Sequence, residues 1–274
     1  MKNEEVETMN TILKYPGAKA RIADWICSYI PQHDVYLEPF FGSGAVFFCK
    51  KPARIETIND LDGNVVNYFR MVREHPEELA QLLLKTPYAR DEYKASYIEN
   101  KNDSDIEKAR KFAVQCWMGF GCSNKYRNGF RSSQQKTSPH ITKAWKEFPE
   151  RLSKASIRLT NAQIENLPAL ELITRYYTKD VFIYIDPPYL YSTRKRYLYF
   201  YEMGEEKEHI KLLEILIGHP GKVMISGYDN DLYNKYLAGW KKVQKKTQAE
   251  QGLSRIETLW MNYEVGQMEL DLIV

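Results

Sequence analysis

The stretch "VYLEPFFGSGAVFF", residues 35–48, contains a short apolar strand, two glycines one residue apart, and an apolar run that reads as a helix. A strand that turns through glycine straight into a helix is half of a β-α-β unit, and a chain of such units builds a parallel sheet. The same rhythm recurs along the chain. Strand-like segments lie at 54–58, 157–162, 181–185, 222–226, 256–263 and 269–274, with helical patterns near 19–29, 44–50, 61–73, 166–177 and 206–217. This predicts an α/β fold whose mostly parallel sheet is covered on both faces. Only "EVGQM" joins the last two strands, too little for a helical crossover, so they are expected to form an antiparallel hairpin at the end of the sheet.

Residues 74–155 break the rhythm. They read as helices at about 76–85, 89–100 and 105–118, then a Gly/Ser/Asn-rich basic run, "GFGCSNKYRNGFRSSQQKTSPH" (119–140). We read 74–155 as a mainly helical domain inserted into a core made of 1–73 and 156–274. From Arg110 to Arg158 there are eleven Lys/Arg against Glu147 and Glu150, so this segment is strongly positive although the whole chain carries only +3. A basic block interleaved with aromatics and glycines points to a polyanion surface. The 20 tyrosines suit a stacking surface as well as they suit a core.

Cys27, Cys49, Cys116 and Cys122 show no paired spacing and no clustering with histidine. They read as free thiols, with no metal site expected. The sequence contains no secretory leader and no apolar run long enough to span a bilayer, so a cytoplasmic location is expected.

In open α/β sheets, ligands bind beyond the carboxyl ends of the strands. Three strands here end in distinctive chemistry. Gly42 and Gly44 permit a tight turn and close approach of a ligand. The motif is not GxGxxG, which disfavours a dinucleotide oxidoreductase. Asp60, ending the next strand, is placed to accept hydrogen bonds from both ribose hydroxyls of an adenosine; Asn59 or Asp60 can equally cap the helix that follows, and both roles are compatible. After "VFIYI" come Asp186-Pro187-Pro188-Tyr189. The prolines fix φ and remove two donors, leaving an acceptor-only cluster beside a flat ring, suited to a planar ligand that offers an amino group.

In order and spacing, Lys14-Tyr15-Pro16-Gly17-Ala18-Lys19, "EPFFGSGAVFF" (38–48), "NDLD" (59–62), "DPPY" (186–189) and "ISGYDN" (225–230) resemble the Dam-like (class alpha, D12) DNA adenine-N6 methyltransferases. The resemblance implies a Rossmann-like S-adenosylmethionine-dependent methyltransferase fold. It implies a site-specific enzyme that methylates N6 of an adenine flipped out of double-stranded DNA. Cofactor-binding residues are then Tyr15, Lys19, Glu38, Phe40, Gly42, Gly44, Asp60 and Asp186. The catalytic turn is Asp186, Pro187, Pro188 and Tyr189. The 74–155 insert corresponds to the target-recognition region, and "KYRNGFR" (125–131) loosely resembles the base-reading hairpin of the GATC-specific members. Lys125, Arg127 and Arg131 there, with Arg194, Lys195 and Arg196 after the DPPY turn, are the expected DNA contacts. A companion restriction endonuclease is a candidate partner. The same acceptor chemistry also suits an N4-cytosine or RNA amino-methyltransferase. A catalytically inactive nucleic-acid-binding protein is the reading from another class.

Overall fold

A computed structural model describes all residues except 1–10, 122–123, 125, 137–139, 195–196, 249–253 and 265–274. Among the described residues, seven strands form one sheet: β1 (Val35–Glu38), β2 (Ile55–Asn59), β3 (Ala162–Glu165), β4 (Val181–Ile185), β5 (Lys222–Tyr228), β6 (Lys241–Gln248) and β7 (Ser254–Met261). Their order is β3-β2-β1-β4-β5-β7-β6. The first five strands run parallel, and β7 pairs antiparallel with both β5 and β6.

Alternation along the central strands sends side chains to opposite faces. Tyr36, Phe182, Tyr184 and Met224 join one buried cluster; Leu37, Ile183, Ile185, Val223 and Ile225 join the other. Helices α9 (Ala169–Arg175) and α10 (Glu206–Ile217) cover the second face through Leu172, Ile173, Leu212 and Leu216. The first face is covered from α3 (Gly63–Glu74), with Val65, Tyr68 and Phe69. α1 (Ala23–Cys27) and α2 (Ala45–Cys49) also pack on this side, while α11 (Asp231–Tyr236) lies against the second face through Tyr233. The insert contributes α4 (Pro76–Lys85), α5 (Arg90–Ala95), α6 (Asp105–Met118) and α7 (Ile141–Glu147), and its boundary with the core falls inside α8 (Leu152–Leu159). Leu79, Leu83, Phe112, Trp117 and Phe148 from this region share the first cluster.

Two sequence expectations change. Residues 157–162, expected as a strand, contain the end of α8, and β3 begins only at Ala162. Leu152, Ala155 and Leu159 are buried at helical spacing, and this face wins over the short alternation of Ile157 and Leu159. The hairpin that closes the sheet pairs β7 with β6, whereas the sequence paired 256–263 with 269–274. β6, "KKVQKKTQ", is a lysine-rich edge strand, a composition that guards an edge and hides it from a hydrophobic pattern search. Residues 269–274 lie outside the described residues.

Several charges of the basic block are consumed inside the protein. Arg158 of α8 pairs with Glu56 of β2, which Lys50 also approaches at 2.5 Å. Arg110 bonds Glu107 and Glu92, and Lys111 bonds Asp103. Net charge therefore overstated the positive surface, because these acids lie outside the counted segment. Arg127, Lys136, Lys146 and Lys154 are exposed.

Candidate active site

The strand order reverses at β1, whose neighbours are β2 and β4. The carboxyl ends of these three strands flank a cavity of about 410 Å³. A cavity at this switch point is where open α/β sheets bind their ligands. Tyr15, Lys19, Glu38, Phe40, Asp60 and Asp186 all border it.

Positive φ angles of 51° at Gly42 and 69° at Gly44 make the turn after β1 a glycine requirement. A Cβ on Gly42 would meet the Tyr15 ring at 3.0 Å, so the turn also packs against the N-terminal motif. The Gly42 N–H donates to Asp60 Oδ2 at 2.8 Å, and the Asp62 N–H donates to Asp60 Oδ1 at 2.9 Å. These bonds fix the carboxylate and leave lone pairs for a ligand's hydroxyls. Burial pushes the Asp60 carboxyl up to about 7 despite the backbone donors that pull it down. Asp60 is not the helix cap. Asp62 caps α3, accepting from the Asn64 N–H at 3.0 Å.

Glu38, at the end of β1, is buried and accepts from the Tyr36 hydroxyl at 2.7 Å; burial raises its carboxyl to about 8. Asn59, at the end of β2, stands in the "NDLD" motif but does not cap α3; its role is to tie two turns together. Its amide donates to the Pro39 carbonyl at 2.9 Å and accepts from the Leu167 N–H at 2.8 Å, locking the glycine turn to the segment after β3.

Asp186 follows β4. Its Oδ1 accepts from Ser226 Oγ at 2.9 Å and faces Lys19 Nζ at 2.8 Å. Oδ2 takes no partner among the described residues, which leaves an acceptor at the cavity. Lys19 also lies 3.7 Å from Glu257 and 4.8 Å from the Tyr189 ring centroid. The Tyr189 hydroxyl donates to Glu257 Oε1, and its ring meets Tyr228 edge-on at 4.7 Å. Glu257 lies on β7, far from any motif, so only the paired strands reveal it.

The expected DNA contacts divide. Met118–Phe120 and Gly129–Arg131 run antiparallel, closed by Arg131 N–H to Met118 O at 2.7 Å and Phe120 N–H to Gly129 O at 2.6 Å. Arg127 sits exposed in the enclosed loop, its guanidinium 5.7 Å from the Tyr97 ring centroid. Arg131 is half-buried beside the bridge. Arg194 corrects the sequence reading. Its side chain is only 5% exposed, paired with Glu202, and its Nε donates to the Tyr189 carbonyl at 2.6 Å. It ties down the segment after the DPPY turn instead of standing out toward phosphate. Lys125, Lys195 and Arg196 lie outside the described residues.

A parallel sheet ending in an antiparallel pair, a glycine turn after β1, an acid after β2 and Asp-Pro-Pro-Tyr after β4 define a Rossmann-like methyltransferase. Residues 15–250 match the family model of the D12 class N6 adenine-specific DNA methyltransferases, and the chain belongs to that family. It is 24% identical over 194 residues to the type II methyltransferase M1.LlaDCHI of Lactococcus lactis subsp. cremoris, covering 65% of this chain and 64% of that protein. It is 24% identical over 268 residues to the type II methyltransferase M.MjaIII of Methanocaldococcus jannaschii, covering 85% of this chain and 90% of that protein. The chain thus spans a little under two thirds of the first of these relatives and most of the second. A putative methyltransferase, yhhF, from Escherichia coli aligns over 91% of this chain and 89% of its own with a TM-score of 0.36 and 13% identity. Among the described residues, no helix is long and apolar enough to cross a membrane.

Proposed function

We propose that this chain transfers a methyl group from S-adenosylmethionine to N6 of an adenine extruded from duplex DNA. The family assignment supports adenine over the N4-cytosine and RNA alternatives. The observation that carries the mechanism is the placement of Asp186 at the same cavity as Asp60 and the glycine turn. The cavity suits the cofactor in volume and in its donor set: Asp60 accepts from ribose hydroxyls, Lys19 supplies positive charge, Glu38 supplies a carboxyl group, and Phe40 and Tyr15 supply apolar walls. Bound there, the cofactor supplies an electrophilic methyl group.

The amine of adenine is a weak nucleophile because its lone pair is delocalised into the ring. Asp186 Oδ2 and the Pro187 carbonyl accept hydrogen bonds from its two N–H groups, favouring a pyramidal nitrogen and directing the lone pair. Tyr189 stacks on the base, its ring angle set by the bond to Glu257. Lys19 holds the Asp186 carboxylate in place. Positioning and fixed charge then supply most of the acceleration. A paired base cannot reach this depth, so the base is flipped. Residues 74–155 serve as the target-recognition region, with the Arg127 loop on the duplex. The protein works in the cytoplasm, and a companion restriction endonuclease is a further expected partner.

Incubation with S-adenosylmethionine and duplex DNA, followed by nucleoside mass spectrometry, tests the reading. N6-methyladenine is expected. 5-Methylcytosine would overturn the mechanism, and N4-methylcytosine would overturn the choice of base.

A further inference from the structure

Asn124 belongs to none of the motifs from which the site was read, yet it touches three of its parts. Its Nδ2 donates to the Tyr15 hydroxyl and to Asp62 Oδ2, both at 3.0 Å. Its Oδ1 accepts from the Phe200 N–H at 3.0 Å, and its own N–H donates to the Leu198 carbonyl at 3.0 Å. Partner chemistry fixes the amide orientation: a carboxylate can only accept, and a backbone N–H can only donate. Tyr15 and Asp62 border the cavity. Leu198 and Phe200 belong to the segment that follows the DPPY turn and that Arg194 anchors through Glu202. Two and three residues further along the same loop, Tyr126 and Arg127 are exposed.

We propose that Asn124 is a positioning residue that couples the target-recognition loop to the cofactor cavity, so that duplex DNA and cofactor each tighten the other's binding through it. The inference rests on the function proposed above. The side chain has no spare donor with which to exchange partners, so the loop cannot shift without unpairing Tyr15, Asp62 and Phe200 together. A ligand that orders the cavity therefore favours the same loop position that a duplex selects, and linkage makes the effect reciprocal.

The test measures duplex DNA affinity of the full chain with and without S-adenosylhomocysteine, which cannot react, and S-adenosylhomocysteine affinity with and without the duplex. In the wild type, each ligand tightens the other by the same factor, about 5-fold or more. In Asn124→Ala that factor falls toward one, while each ligand alone binds within a few-fold of wild type. Asn124→Asp keeps the shape and the acceptor for Phe200 but sets a carboxylate against Asp62. It loses the coupling as well, and it serves if the alanine variant does not fold. A folded variant that keeps the full factor, or a wild-type factor of one, overturns the inference while leaving the proposed function standing. A wild type that binds neither ligand overturns both.

Discussion

Lys19 Nζ lies 2.8 Å from Asp186 Oδ1, joining the N-terminal motif to the end of β4. The resemblance placed Lys19 among the cofactor-binding residues, and in this structure its ammonium faces Asp186. Burial alone would lower the lysine pKa, but Asp186 and Glu257 outweigh it and hold it above the ordinary value. Removing one partner of a buried ion pair leaves the other uncompensated and costs about 3–5 kcal/mol. Lys19→Met should lose stability of that order in urea unfolding and lose methylation with it. A folded variant with wild-type stability and turnover contradicts this role.

Asp60 and Glu38 give the ligand-free protein a pH dependence. Burial raises their carboxyls to about 7 and about 8, so the folded chain holds these protons longer than the unfolded chain does. The unfolded state then binds fewer protons, and stability from these groups falls as pH rises from about 4 to about 8. Glu38→Gln keeps an acceptor for Tyr36 and should flatten that slope in melting temperatures taken from pH 5 to 8. An unchanged slope contradicts the assignment.

Asp60→Ala removes the acceptor of the proposed ribose contact. S-adenosylmethionine affinity should weaken by about 1–3 kcal/mol in calorimetry, the cost of leaving hydroxyls unpaired. Affinity equal to wild type would remove Asp60 from the cofactor site.

Arg127 and Arg194 should separate cleanly. Arg127→Gln should lower DNA affinity and reduce its salt slope by about one unit, as expected for one phosphate contact. If Arg127 instead bonds a guanine edge, target preference relaxes as well. Arg194→Ala should leave the salt slope intact and cost stability, because its guanidinium is spent on Glu202 and the Tyr189 carbonyl. The reverse pattern contradicts the placement of both residues.

Local chemistry made much of this legible. The glycine turn, the acid after β2 and the DPPY turn each carry their signal within a few residues, and they fall at adjacent strand ends as the α/β pattern required. β6 was missed because an edge strand needs no apolar face, and β3 was displaced because four residues of alternation also fit a helix end. Glu257, Asn59 and Asn124 act through contacts between distant segments, and no spacing in the sequence encodes such contacts. Arg194 looked like a surface cation because composition does not show that Glu202 folds back onto it.

The central claim is that Asp186 carries the amine chemistry. The direct test compares wild type and Asp186→Ala for N6-methyladenine formed in duplex DNA, with circular dichroism confirming the fold. The account predicts that N6-methyladenine accumulates with the wild type and falls to background with the folded variant. A folded Asp186→Ala protein that still forms N6-methyladenine at a rate near wild type would contradict it.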